Sequence, residues 1–184
     1  MRRRQQVLTE APQAHARQER KTATRVLVEH HEVLRAILRR LLETPRSQPG
    51  LRRALADELF DELWMHERIE EAIFYPAMRH VTPALSAAWS EHRQLSDQLV
   101  ALTRAAPRTE RFDRELRAMH DALESHAHLD EERQLFPEIE RFADEELLVE
   151  LGDRLQARLE RLRSSRLIRA ILRLQRALLR RTAR

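Results

Sequence analysis

The chain has 184 residues, with two Gly, seven Pro, no Cys and a formal net charge of +4, a length that suits one ordinary domain with an appendage. So little glycine, beside abundant Leu, Ala, Arg and Glu, predicts an all-α protein. The lack of cysteine excludes disulfides, thiolate zinc sites and iron–sulfur clusters, so any metal site must be built from His, Asp and Glu.

No apolar run approaches the roughly 20 residues of a membrane span. The opening MRRRQQVLTEAPQ lacks the apolar stretch of a secretory signal, and a cytoplasmic location is expected. Residues 1–25 carry seven Lys/Arg against two acids, and residues 152–184 eleven Arg against two. The centre is therefore acidic between basic ends, which suits cation binding. Residues 1–21 form a basic N-terminal segment.

The first helix is expected from about Thr22 to Glu43, with Leu27, Leu34, Ile37, Leu38 and Leu41 as its buried stripe and His30 and His31 on or beside it. It stops before Thr44-Pro45. The second begins after Pro49-Gly50 and carries Leu55, Leu59, Leu63, His66, Glu70 and Ile73 on one face. Thr82-Pro83 opens the third, which holds His92. Thr109 caps the fourth, whose inner face is Phe112, Leu116, Met119, Leu123 and His126. Short connections make these four antiparallel neighbours in an up-down-up-down bundle.

A shift of 61 residues places His31 on His92, Glu70 on Glu131, Glu71 on Glu132, Tyr75 on Phe136 and Pro76 on Pro137. Leu34, Leu38 and Leu41 fall on Leu95, Leu99 and Leu102 in the same register, so a helix pair has been duplicated. His66 misses. It falls on Ala127, between His126 and His128. Four helices would each bring an imidazole inward and two would add a carboxylate, as bundle cores do around paired iron or manganese ions.

In His66-Glu67-Arg68-Ile69-Glu70 the first and last residues lie one turn apart on one helical face, so both can reach one metal or two adjacent ones. Left without a cation, an imidazole and a carboxylate in an apolar core would cost several kcal/mol through lost hydration. In the fourth helix a regular winding keeps His126 and Asp130 inward, whereas the repeat selects Glu131. A wide, π-type turn near residues 127–130 reconciles the two. Until that geometry is known, Asp130 and Glu131 remain alternatives. His30 competes with His31, and the Leu34 and Leu38 context shared with His92 favours His31. His128 lies off the inner face, and His15, His80 and His120 are expected at the surface.

The order His31, His66-x3-Glu70, His92, His126-x4-Glu131, with Tyr-Pro or Phe-Pro after each acidic motif, resembles the hemerythrin-like HHE cation-binding domains over about residues 22–142. The resemblance implies a four-helix bundle around two non-haem irons (Fe) bridged by two carboxylates, with oxygen or a related small molecule reaching an open metal position. Carried over by position, Glu70 and Glu131 bridge, His31 and His66 hold one iron, and His92 and His126 hold the other. The pattern departs from oxygen-carrying hemerythrins, which place two histidines one turn apart on the third helix. Here the neighbours of His92 at that spacing are Ala88 and Ser96. Fewer protein ligands favour reaction with a small oxidant (oxygen, nitric oxide or peroxide), in stress response, sensing or iron handling, over reversible oxygen storage. His and carboxylate also suit manganese and zinc.

Residues 143–184 are expected to form an additional Arg-rich amphipathic helix. Leu155, Leu159 and Leu162 make one stripe, and after Ser164-Ser165 a second stripe of Leu167, Ile171, Leu174 and Leu178 is rotated from the first. Packing on the bundle with solvated arginines, or self-association into a homo-oligomer, are the favoured readings. A bilayer surface or nucleic acid fits less well, because the segment has no Trp or Tyr. The alternative function is a non-catalytic interaction module acting through this helix, its metal structural or absent.

Overall fold

The computed structural model describes residues 20–82 and 85–181, and every regular element among them is helical. The basic segment 1–21 lies outside these residues except for Arg20 and Lys21, as do His15 and the expected Pro83 first turn.

Helix α1 (Ala23–Glu43) opens on Thr22, whose hydroxyl accepts the Arg25 N–H at 3.3 Å, and ends at the extended Thr44 ahead of Pro45. Helix α2 starts at Pro49, runs to Ile69, and continues unbroken through a π-helical stretch (Glu70–Phe74) and a final α turn (Tyr75–Met78). Helix α3 is Leu85–Arg104. Helix α4 repeats the plan of α2, with an α segment (Glu110–Leu123) capped by Thr109, a π segment (Glu124–Leu135) and a last α segment (Phe136–Phe142).

Both wide turns precede a proline. The Tyr75 N–H bonds the Glu70 carbonyl and the Phe136 N–H bonds that of Glu131, each five residues back. Pro76 and Pro137 have no N–H to give, and in a regular helix their rings would meet the carbonyl four residues earlier. Widening the preceding turn moves that carbonyl aside. In α4 the π stretch also absorbs one more residue, so His126 and Glu131 are five apart where His66 and Glu70 are four.

Two apolar layers fill the bundle. One contains Leu34, Leu38, Leu59, Leu63, Leu95, Leu99, Leu116 and Leu123, the other Leu27, Ile69, Phe74, Leu85, Phe136 and Ile139, and all of these are buried. On each of the four rods the inward histidine falls between a residue of the first layer and one of the second. The polar layer thus crosses the midsection of the fold with leucine-rich packing above and below.

The expected single C-terminal helix is divided. Helix α5 (Glu145–Ser164) starts on the Asp144 cap and lies along α1 and α2. Ser165 is extended, and its hydroxyl caps the next helix, α6 (Arg166–Arg181), by accepting the Ile168 N–H at 3.3 Å. Leu148, Leu151, Leu155, Leu159 and Leu162 of α5 are buried. Gly152 permits the close approach to α1, since a Cβ there would overlap the Lys21 carbonyl. Helix α6 packs on α3 and α2. The stripe Leu167, Ile171, Leu174 and Leu178 faces solvent; the row turned to the bundle is Ile168, Leu172 and Leu179. The arginines on that side decide the rotation. Arg176 is buried, pairs with Asp61 and Asp57 of α2, and lies over the Phe60 ring at 5.8 Å, while Arg180 pairs with Asp57. No helix among the described residues is long and apolar enough to cross a membrane.

Candidate metal centre

All six residues singled out by the sequence, His31, His66, Glu70, His92, His126 and Glu131, are buried in the polar layer. Five of them (His31, His66, Glu70, His126 and Glu131) offer ligand atoms within 4.8 Å of one another. His92 joins through Glu70, its Nε2 lying 3.1 Å from Oε2. The Nε2 atoms of His31 and His66 face each other at 3.1 Å, His66 Nε2 is 3.2 Å from Glu70, and Glu131 lies 3.2 Å from His31 Nε2 and 3.6 Å from His126 Nε2.

The sequence alternatives separate in space. Glu131 is brought inside by the wide turn, whereas Asp130 is partly exposed and meets the Ser125 hydroxyl at 3.5 Å. His31 enters the cage. His30 turns away to Glu62, which accepts from its Nε2 at 2.9 Å and is itself paired with Arg163. His128 is half-exposed, His80 is exposed, and His120 is partly exposed beside Asp121.

Sequence reasoning missed the residues that orient the imidazoles. The Nδ1 of His31 donates to Glu132 at 2.8 Å, that of His92 to Glu71 at 3.2 Å, and that of His126 to Glu91 at 3.2 Å. A carboxylate on Nδ1–H fixes the tautomer and leaves the Nε2 lone pair aimed inward. The coincidence of Glu71 and Glu132 in the repeat was the available signal for two of them. Tyr75 was also missed. Its hydroxyl donates to Glu131 at 2.8 Å and lies 3.0 Å from His92 Nε2. The signal was that Tyr75 is the polar member of a pair whose other member is Phe136.

The charge balance of the cage follows from burial and proximity. Burial, reinforced by the charge of Glu131, raises the Glu70 carboxyl well above its usual range, so Glu70 keeps its proton when no cation is bound. Burial also opposes ionisation of Glu131, but His126, His31 and the Tyr75 hydroxyl outweigh it and hold Glu131 low. For His31 burial favours the neutral ring, yet Glu131 and Glu132 win and raise it to about 9. His66, penalised by burial and then by His31, is pushed well below the usual histidine range. Burial beside Glu70 and Glu131 keeps the Tyr75 phenol protonated.

These residues fit a cation. Glu70 Oε1, His126 Nε2 and Glu131 Oε2 are buried and have no hydrogen-bond partner, a costly condition for acceptors in an apolar interior. Imidazole nitrogen and carboxylate oxygen are the donors that iron, manganese and zinc accept.

Fold and cage together define a four-helix bundle built to bind a cation. The sequence matches the Hemerythrin HHE cation binding domain over residues 22–139, and the chain belongs to that family. It is 38% identical over 142 residues to uncharacterized proteins of Mycobacterium tuberculosis (Rv2633c) and Mycobacterium bovis (Mb2666c), a match that covers 76% of this chain and 86% of each relative. It also resembles the crystal structure of a hemerythrin HHE cation binding domain-containing protein, the Rv2633c homolog from Mycobacterium kansasii. That likeness has a TM-score of 0.70 and 35% identity, and it covers 83% of this chain and 97% of the other. Family and buried His/Glu cluster together indicate a metal-binding protein.

Proposed function

We propose that the chain is a non-haem di-iron protein that binds or reduces a small oxidant such as oxygen, nitric oxide or peroxide. In this reading Glu70 and Glu131 would be shared between two irons, with His31 and His66 holding one and His92 and His126 holding the other. The observation that carries it is the convergence of four imidazoles and two carboxylates in one buried layer.

Iron, when bound, supplies electrons and an open position for the small molecule. The chain's own residues do the rest. Glu71, Glu91 and Glu132 hold three imidazoles in the productive tautomer. Tyr75 keeps a proton on Oη, 2.8 Å from Glu131, and would be the proton donor within the cage. The apolar layers on either side keep bulk water out. His92 has Ala88 and Ser96, not a second histidine, at one-turn spacing, which leaves more of the coordination sphere to small molecules and favours reactivity over storage.

The test is elemental analysis of protein purified without added metal, followed by visible spectroscopy. About two irons per chain, with absorption that changes on adding oxygen, nitric oxide or peroxide, is the expected result. A protein without transition metal, or one whose spectrum ignores all three, would overturn the reading.

One observation favours a second reading, a non-catalytic interaction module whose metal is structural or absent. The outer stripe of α6, Leu167, Ile171, Leu174 and Leu178, is apolar and exposed. With the metal absent, chelation leaves the melting temperature unchanged; with a structural metal, chelation lowers it, and in neither case does the spectrum respond to oxygen, nitric oxide or peroxide.

A further inference from the structure

The 61-residue shift matches the two halves of the cage almost ligand for ligand, but the groups just outside the ligands do not all match. His31 and His92 correspond, and their Nδ1 partners Glu132 and Glu71 correspond as well. The pairing then fails. Glu91 receives the Nδ1 of His126, and the residue 61 positions before Glu91 is His30.

His30 stands edge-on to the His66 ring, with centroids 5.1 Å apart, and directs its own Nε2 to Glu62. It brings no anion to His66, and Nδ1 of both rings is buried without a hydrogen-bond partner. A second mismatch lies on the same division. Tyr75 sits against His92, with ring centroids 5.3 Å apart, while its counterpart Phe136 stacks on His31 at 6.0 Å. Glu132 is moreover shared with Arg35 at 2.9 Å, whereas the cation beside Glu71 is the exposed Arg68 at 3.3 Å. His92 and His126 therefore lie among two carboxylates and a phenol. Outside the ligands, His31 and His66 have one carboxylate, shared with Arg35, and otherwise the His30 imidazole and the Phe136 ring.

We propose that His30 and Glu91 make the two metal positions inequivalent, so that the ion on His92 and His126 is held tightly and the ion on His31 and His66 is exchangeable. The inference rests on the two-ion reading above. Its physical basis is the effect of a carboxylate on Nδ1–H, which increases the basicity of Nε2 and locks the ring; losing such a partner typically weakens metal binding about 10- to 100-fold. Glu91 and Glu71 give both histidines of one position that support. His66 has none.

The experiment follows iron leaving the two-iron protein in excess chelator, by absorbance of the chelate and by elemental analysis of the protein. Two phases of equal amplitude are expected, with rates about tenfold or more apart. Glu91→Gln, an isosteric change at a partly exposed residue, should accelerate the slow phase alone, by about 10- to 100-fold. Glu132→Gln should accelerate only the fast one. A measurement that needs no variant is Mössbauer spectroscopy of metal-free protein given one equivalent of isotopically enriched iron, in which one iron environment should fill before the other. Two ions that leave in one phase, statistical filling, or a Glu91→Gln protein with an unaltered slow phase would each overturn this inference alone. A chain that binds fewer than two ions overturns the di-iron reading, and this inference with it.

Discussion

The Tyr75 hydroxyl donates to the Glu131 carboxylate at 2.8 Å, so a side chain from the first helix pair closes onto the acid of the second. Phe136 occupies the matching place on the other side without a hydroxyl, and the fold therefore tolerates phenylalanine in such a position. Tyr75→Phe should keep the bundle and its metal content, iron on the proposed reading. It should cost about 1 to 2 kcal/mol in the metal-free protein, through the lost buried hydrogen bond. If Tyr75 supplies a proton, the oxidant-induced change in the visible spectrum should slow at least about tenfold. Thermal melts, iron analysis and stopped-flow absorbance check these three outcomes, and an unaltered rate would remove Tyr75 from the chemistry.

Glu70 separates metal binding from folding. Burial and Glu131 keep it protonated in the metal-free protein, so Glu70→Gln should change metal-free stability by no more than about 1 kcal/mol. A neutral amide is a poorer metal ligand than a carboxylate, so on the proposed di-iron reading the iron content should fall below half of wild type. Glu131 is charged; Glu131→Gln should lose metal and also weaken the metal-free fold, because His31 loses one of its two carboxylate partners and keeps only Glu132. Melting in chelator, beside elemental analysis, distinguishes the two variants.

Acid sensitivity should be traceable in part to Asp113, far from the cage. Burial acts to raise this carboxyl, but the guanidinium groups of Arg52 and Arg46 prevail and hold it below its ordinary value. A folded value below the unfolded one of about 3.9 contributes stability that is complete above the unfolded value. That contribution disappears as pH falls through the folded one. Arg52 is buried over the Phe112 ring at 4.5 Å, so Asp113→Ala strands a cation and should cost about 3 kcal/mol at neutral pH. Its melting temperature should approach that of wild type as pH drops below about 4. A difference that stays constant down to pH about 2 would rule this ion pair out as the source.

Gly152 should resist substitution. The Cβ of Gly152→Ala would overlap the Lys21 carbonyl, and forced separation of packed helices costs about 1 to 3 kcal/mol. Alanine's better helix propensity returns at most about 1 kcal/mol. A net loss of stability on chemical unfolding is expected, with hydrogen exchange increased at the start of α1.

Much of this was legible in the chain. The start of α1 near Thr22, the cap at Thr109 and the stripes around Leu34 and Leu116 are local features, and short-range patterns report them well. The wide turn of α4 was visible because His66 failed to land on a histidine. Its counterpart in α2 was not, since both copies share the turn before the proline and comparing them cancels it. Glu91 escaped notice for the opposite reason. Looking for agreement between copies hides a position where they differ. The rotation of α6 depends on Arg176 reaching Asp57 and Asp61, a long-range ion pair that apolar periodicity does not register.

The extra residue in the π stretch of α4 bears on how such a centre can be assembled. Two identical copies of the α1–α2 hairpin would bring two phenols and two His30 rings to the middle and no counterpart of Glu91, while both histidine–acid spacings would be the shorter one. Joining the hairpins in a single polypeptide lifts that constraint: each side can vary without forcing the same change on the other, and asymmetry becomes heritable.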